Sequence, residues 1–444
     1  MSNTVIEQMP KYDSYKESGV EWLGEIPEHW SLIPNKRIFN LKKKLVGKRS
    51  SEYDLLSLTL KGIIKRDMDN PEGKFPAEFD TYQEVSSGDF VFCLFDVEET
   101  PRTVGLSRFD GMITGAYTVF NPSEQYSREF LYYFYLNLDT GKKLKPLYKG
   151  LRNTISKEAF FSFKTFVPPI DEQVKIASYL DKKTSQIDEA ISIKQKQIEL
   201  LKEHKQIIIQ QAVTQGLNPD TPMKDSGVDW MGMIPEHWSV TRLKFYSHIQ
   251  SGVTLGKVYS EEGIEEYPYL RVANVQFGYF KLDDVATIKL PKKEAKRYLL
   301  RNKDILVTEG GDIDKLGRGT VWSSEIEPCL HQNHVFAIRI NESAFCHDFV
   351  ANYLASDSAR KHFISTATKT TNLASTNKTH LKNVYMPFPS IDEQKEINLY
   401  IAEKIQRIEL AIADNENQIN KLKEYKTTLI NSAVTGKIKV TELA

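Results

Sequence analysis

Twelve of the sixteen residues of KESGVEWLGEIPEHWS (16–31) return in KDSGVDWMGMIPEHWS (224–239), 208 positions later. A longer block, 170–214, returns without a gap at 391–435, an offset of 221 that carries IDEQ, LKEHK/LKEYK and AVT with it. Self-similarity of this kind sets domain boundaries that composition leaves vague. The order is short motif, variable unit, long motif, and then the same three again. It divides the chain into an N-terminal segment (1–30), a first variable unit (31–167), a central repeated block (168–216), a linker carrying the second short motif (217–238), a second variable unit (239–388), a C-terminal repeated block (389–436) and a tail (437–444). The variable units differ in length and share little sequence.

The long motifs have the period of a helical seam. In the first, Ile176, Leu180, Lys183, Ile187, Ala190/Ile191, Lys194, Ile198, Leu201, Lys205, Ile208 and Ala212 step by threes and fours, with Glu and Lys on the flanks. In the second, Ile397, Ile401, Ile405, Ile408, Ile412, Ile419, Leu422, Leu429 and Ala433 keep the same step. Each block opens after proline with Asp-Glu-Gln, acids that suit a helix N-terminus, and ends near Gly216 or Gly436, as a helix stop should. One exposed seam of this length would be insoluble alone. Antiparallel pairing of the two helices is the economical solution, and it would set the two variable units at opposite ends of a rod.

Both variable units read as mixed α and β. YDLLSLTL (53–60), GDFVFCLF (88–95) and AYTVF (116–120) are strand-like in the first, and YPYLRVANVQFGYF (267–280), KDILVTEGGDIDKLGRGTVW (303–322) and HVFAIRI (334–340) in the second. An aromatic, helix-like stretch follows in each, EFLYYFYLNL (129–138) and DFVANYLASDSARKHF (348–363). The fold class expected is therefore α+β, two globular units with two long helices pairing as an antiparallel coiled coil.

Charge is neutral in sum and segregated in detail. Fifty-nine Lys and Arg balance 59 Asp and Glu, yet 31–164 and 239–387 each carry +4, offset by −4 over 1–30, −3 over 165–238 and −1 over 388–444. Between Ser358 and Ile391 there is no acid, only Arg360, Lys361, Lys369, Lys378 and Lys382 among Thr, Ser and Asn. Basic loops rich in hydroxyls and amides are what phosphate and base-edge contacts require. Three widely spaced cysteines support neither a disulfide framework nor a paired-cysteine zinc site. With no signal pattern and no long apolar run, a soluble, cytoplasmic protein is expected.

Chemistry is harder to find. No GxxxxGK[ST] phosphate loop or strand-to-helix GxGxxG occurs, and neither does the acidic, Pro-Pro, aromatic tetrapeptide of amino-methyltransferases. Asp284, Glu294 and Lys296 can be forced into a nuclease-like pattern, but in a charged run rather than on an apolar strand. Cys329, His331 and His334 suggest a metal cluster without a fourth ligand, so polar contacts are the better reading. His29 and His237 recur identically beside Trp30 and Trp238, which points to a structural role.

The motifs in their order resemble the specificity (S) subunit of type I restriction–modification systems. SGVEWLGEIPEHW precedes a variable unit, PPIDEQ and PSIDEQ open the long helices, AVTQG and AVTGK end them, and PYLRVANVQ, DILVTEGGDIDKLGRG, CLHQNHVFAIR, TTNLAST, GDFVF and AYTVF look like that family's target-recognition domains. The resemblance implies a non-catalytic subunit in which each target-recognition domain reads one half of a bipartite site in double-stranded DNA. It implies helices that dock two modification subunits, which bind S-adenosylmethionine and methylate adenine, and restriction subunits that use ATP and Mg. A coiled-coil scaffold binding only proteins is the alternative. Candidate DNA contacts are Lys43, Lys61, Lys65, Arg66, Arg102, Arg108, Arg152 and Asn153 in the first unit, and Arg271, Asn274, Gln276, Lys315, Arg318, Gln332, Asn333, Lys369, Thr371, Asn372 and Lys378 in the second. Candidate partner-binding positions are Ile176, Leu180, Ile187, Ile198, Leu201, Ile397, Ile401, Ile408, Ile419 and Leu422.

Overall fold

The computed structural model describes the chain apart from residues 1–5, 21–22, 69–77, 149–152, 257–262, 312–315, 370–373 and 443–444. The chain folds as two units, of which the first is discontinuous in sequence and encloses the second. One comprises Met1–Gln195 with Glu416–Ala444, the other Lys196–Asn415. The two long motifs are helices, Ile170–Gln215 of 46 residues and Ile391–Val434 of 44. Each unit takes the first part of one helix and the last part of the other, so the pairing is antiparallel in both.

The apolar seam explains that pairing. In the first unit Ile176, Leu180 and Ile187 share one core with Leu429, Ile430, Ala433 and Val434. In the second, Ile209, Ala212 and Val213 share a core with Ile397 and Ile401. Cross-helix ion pairs flank the seam, Lys426 to Asp188 at 2.6 Å in the first unit and Lys205 to Glu409 at 2.6 Å in the second. These are surface pairs and contribute little beyond register.

Both units carry the same four-stranded antiparallel sheet. The first orders Phe39–Lys42, Thr118–Pro122, Phe90–Phe92 and Val104–Leu106; the second orders Ser247–Ser251, Val335–Ile340, Ile305–Thr308 and Gly319–Val321. In chain order both read first, fourth, second, third. Central strands buried on both faces account for runs such as Phe90-Val91-Phe92 and Ile305-Leu306-Val307. An aromatic cluster fills the first core, with Phe39 to Phe90 at 5.3 Å and Phe92 to Phe160 at 4.9 Å between ring centres. A buried aspartate precedes each second strand. Asp89 accepts from Lys42 (2.7 Å), Asn121 (2.9 Å) and the Ser86 amide (2.8 Å), while Asp304 accepts from Arg339 and the Arg301 amide, each at 2.9 Å.

Two sequence expectations change in detail. The stretch 348–363 is not one helix but two, His347–Leu354 and Asp357–Thr366, because the Ser356 side chain caps the second by accepting from the Ala359 amide. The run 267–280 is a strand only as far as Leu270. Beyond it Val272–Asn274 form a 3₁₀ turn around the buried side chain of Asn274, which accepts from the Arg271 amide (2.8 Å) and donates to the carbonyls of Lys281 and Asp284 (both 2.9 Å).

Leu429 is fully buried and belongs to the core of the first unit, although it lies far along the chain from that unit's central strands, Phe90–Phe92 and Thr118–Pro122. Leu429→Ala is expected to cost about 2–5 kcal/mol. Hydrogen exchange should show protection falling at 128–140 before it falls at 347–366.

Candidate nucleic-acid interface and the joints that hold it

Each variable unit enters and leaves the frame through one two-stranded ribbon. Ser31–Pro34, just after EHW, pairs with Lys164–Val167, just before the first long helix, and Ser239–Arg242 pairs with Tyr385–Phe388 in the same way. The helix that follows is locked to its unit by the glutamine of IDEQ. Gln173, 2% exposed, accepts from the Ser127 amide at 2.9 Å and donates to the Pro168 carbonyl at 2.8 Å. Gln394, fully buried, accepts from the Cys346 amide at 2.8 Å and donates to the Ala344 (3.0 Å) and Pro389 (3.1 Å) carbonyls. Ser127 and Cys346 stand at the N-cap positions of the aromatic helices Arg128–Thr140 and His347–Leu354, and the Ser127 side chain caps the first by accepting from the Phe130 amide. The same side chain thus ties the start of a repeated long helix to the start of a helix in the unrepeated part of the sequence, in both units.

The glutamate beside it engages the short motif. Glu172 accepts from Trp30 at 3.2 Å, meets His29 at 2.8 Å and is bonded by the Tyr12 hydroxyl, whose pKa burial raises further. Glu393 meets His237 at 3.1 Å, whereas the Trp238 indole N–H has no acceptor among the described residues. The opposite helix ends against the same indoles. Gly436 and Gly216 both have φ of +74°, a left-handed stop that glycine adopts without strain. The Lys437 amide closes the turn on the Ser432 carbonyl at 2.8 Å. A Cβ at Gly436 would stand 2.3 Å from Pro27 and 3.4 Å from Trp30, and one at Gly216 would touch Trp238 at 3.4 Å. Sequence reading gave IDEQ only a local role at the helix start. Recurrence of IDEQ together with EHW was the signal that they meet.

The candidate DNA contacts fall into groups. In the second unit Arg271, Asn274, Gln276 and Arg318 form one network. Arg318 donates to Gln276 (3.3 Å) and the Val272 carbonyl (3.1 Å), and Arg271 to Asp284 (2.8 Å). Asn274 is buried and its side chain is fully engaged there. Gln332 and Asn333 are half-buried, with backbone amides bonded to Leu270 and Val253, and Lys378 opens the short helix Lys378–Lys382. Lys315, Thr371 and Asn372 lie outside the described residues, as does the side chain of Lys369. In the first unit Lys61, Lys65 and Arg66 share one hairpin, Lys65 pairing with Asp54 at 2.5 Å. Arg102 joins it through the Leu60 carbonyl (3.3 Å) while bound to the buried Asp139 (3.3 Å). Lys43 and Arg108 are exposed on other loops, Asn153 is exposed with φ of +47°, and Arg152 is outside the described residues.

Nine of the ten candidate partner-binding residues belong to the inward seam. Ile176, Leu180, Ile187, Ile198, Ile397, Ile401, Ile408 and Ile419 are buried inside the chain, Leu422 packs on the first core, and Leu201 is half-buried. The seam pattern marks intrachain packing, and the large apolar residues that these helices expose are Ile170, Val174, Ile193, Leu200, Ile207, Leu399, Tyr400 and Leu410. Cys329, His331 and His334 are occupied singly. Cys329 is buried and its thiol is pushed up to about 12, His331 is bonded to the Val335 carbonyl (2.6 Å), and His334 pairs with Glu309. Glu294 is held by Tyr298 at 3.2 Å.

Residues 111–203 and 235–424 match the family model of the type I restriction modification DNA specificity domain. The chain belongs to that family. Among relatives of this specificity family, the MjaVIII specificity subunit of Methanocaldococcus jannaschii is 28% identical over 302 residues, covering 65% of each chain. The putative MjaX specificity subunit of the same organism is 23% identical over 98% of this chain and 99% of its own. The EcoKI specificity subunit of Escherichia coli K12 is 22% identical over 89% and 86%. The fold is likewise that of the HsdS subunit from Thermoanaerobacter tengcongensis, with a TM-score of 0.52, 15% identity, and 95% and 100% of the two chains covered. A chain solved to explain complex assembly and conformational transition of the type I R-M system superposes with a TM-score of 0.65, 14% identity, and coverage of 92% and 98%. Among the described residues no helix is long and apolar enough to cross a membrane.

His331 provides a pH test of this family's second unit. Burial disfavours its cation and lowers its pKa from 6.5 to about 4. Between those values the unfolded chain binds the extra proton, so stability falls as pH drops from about 6.5 towards about 4 and is unaffected by this group above 6.5. Urea titrations across that window should show the slope, and His331→Gln should flatten it.

Proposed function

We propose that this specificity subunit reads double-stranded DNA with both of its variable units, each recognising one half of a bipartite site, and that it does so without catalytic chemistry of its own. The observation that carries the reading is the repetition of one joint. Two units of little common sequence, each net basic at +4 over 31–164 and 239–387, are mounted on the same glutamine, glutamate, tryptophan and glycine contacts. A frame that stays constant while its loops vary suits a protein whose task is to change what is read and keep how it is presented. Lysines and arginines on the loops would hold phosphates, and Gln, Asn and Arg would meet base edges.

The exposed apolar residues of the long helices are proposed to dock two modification subunits, which supply S-adenosylmethionine and take the target adenine out of the stack. Restriction subunits, using ATP and Mg, would complete a nuclease. The length of the paired helices would then set the number of unread base pairs between half-sites. Neutral overall charge leads to weak DNA binding by the chain alone, with modest salt dependence, and to tight binding only in the assembled complex.

Mapping methylated adenines in cells with and without the chain should reveal two short half-sites with an unread gap. Removing seven residues from both helices in register should change that gap and leave the half-sites intact. A single continuous site, or a gap indifferent to helix length, would sink the reading. Equal affinity of the assembled complex for cognate and scrambled DNA would favour a protein-only scaffold.

A further inference from the structure

Each unit roots one hairpin in its core and leaves an apolar tip in water. In the first, Leu56–Thr59 pairs with Gly62–Lys65 in the register Leu58↔Ile63, and Leu56 and Ile63 are buried with Val85, Val91, Ile113 and Val119. The turn is pinned by Thr59, whose hydroxyl donates to the Gly62 carbonyl (2.9 Å) and accepts from the Lys61 amide (3.1 Å). Leu60, in that turn, is 67% exposed.

In the second unit Val275 bridges Phe280 and the Gln276 amide donates to the Tyr279 carbonyl at 3.1 Å, making a tighter hairpin. Val275 is fully buried, and Phe280 packs edge-on against Trp322 at 5.0 Å. Arg318 and Asn274 brace the two sides, and the Gly278 amide reaches the Gly319 carbonyl at 3.3 Å. Between root and brace, Phe277 and Tyr279 stand 39% and 60% exposed. Two aromatic rings held out by a braced turn have surface to bury on something else.

Charge indicates what that is. Residues 55–66 hold Lys61, Lys65 and Arg66, and residues 271–281 hold Arg271 and Lys281, with no acid inside either run, while Lys65 and Arg271 pair with Asp54 and Asp284 just outside them. A narrow apolar tip in a cationic collar fits a groove of duplex DNA, where cations meet phosphates and an apolar side chain wedges against a base step. We infer that Leu60 in one unit and Phe277 with Tyr279 in the other are wedge residues, each pressing on one base step of the half-site its unit reads. The inference rests on the DNA-reading proposal and adds to it the residues that deform the site.

The test uses the chain assembled with its modification subunits and duplexes carrying 2-aminopurine at successive steps of the two half-sites found by methylation mapping. Wild type should brighten one step in each half-site as stacking is lost. F277A with Y279A should abolish the signal in one half-site only and weaken cognate binding roughly 10–100-fold, and L60A should do the same in the other half-site. All three substitutions are at exposed positions, so thermal melting and assembly with the modification subunits should not change. Unchanged affinity and fluorescence in the variants, or no bright step in wild type, would overturn the wedge while leaving the bipartite reading intact. Impaired assembly with normal DNA binding would overturn it in favour of a protein contact. A wild-type complex without sequence preference would overturn the DNA reading itself, and the wedge with it.

Discussion

A buried glutamine at the first turn of each long helix is the contact on which the arrangement depends. Gln173 and Gln394 make their bonds to backbone groups only: the Ser127 amide and Pro168 carbonyl in one unit, the Cys346 amide and the Ala344 and Pro389 carbonyls in the other. Backbone groups are the same whatever side chains the variable segment carries. The joint therefore constrains where the segment's helix begins and is indifferent to most of its sequence. Loss of either glutamine would leave buried amides and carbonyls without partners, a cost of about 1–3 kcal/mol for each.

The remaining contacts of the joint converge on the same place. Trp30 and Trp238 bury their rings where one long helix starts and the other stops, so the register of the antiparallel pair is set at its ends as well as along its seam. The two joints are not equal. Glu172 collects Tyr12, His29 and Trp30, whereas Glu393 has His237 and the Trp238 indole is left without an acceptor among the described residues. A buried donor without a partner is a local weakness, which makes the second joint the softer one.

Much of this was legible in the chain. The heptad steps marked both helices, and prolines and glycines marked their ends, because helix periodicity and termini are local properties. Strand-like runs such as Phe90–Phe92 and Val335–Ile340 were legible for the same reason. What eluded sequence reading was tertiary. Ser356 interrupts a stretch whose apolar pattern looks continuous, and Asn274 turns a strand-like run into a capped loop through bonds to residues up to ten positions away. Charge was the weakest guide to the interface: Arg102 and Lys65 are tied to Asp139 and Asp54, acids that segment sums count but cannot place.

Sharing the helices between units also orders events during synthesis. The first unit's sheet and aromatic helix emerge early from the ribosome, but Leu429, Ile430, Ala433, Val434, Ile438 and Val440, which complete its core, emerge last. The second unit's segments are contiguous, from Lys196 to Asn415, and need nothing made later. The unit begun first is thus finished second, and its open apolar face must be shielded while more than two hundred residues are added. A chain cut short within its last thirty residues would be damaged mainly at the other end of its sequence.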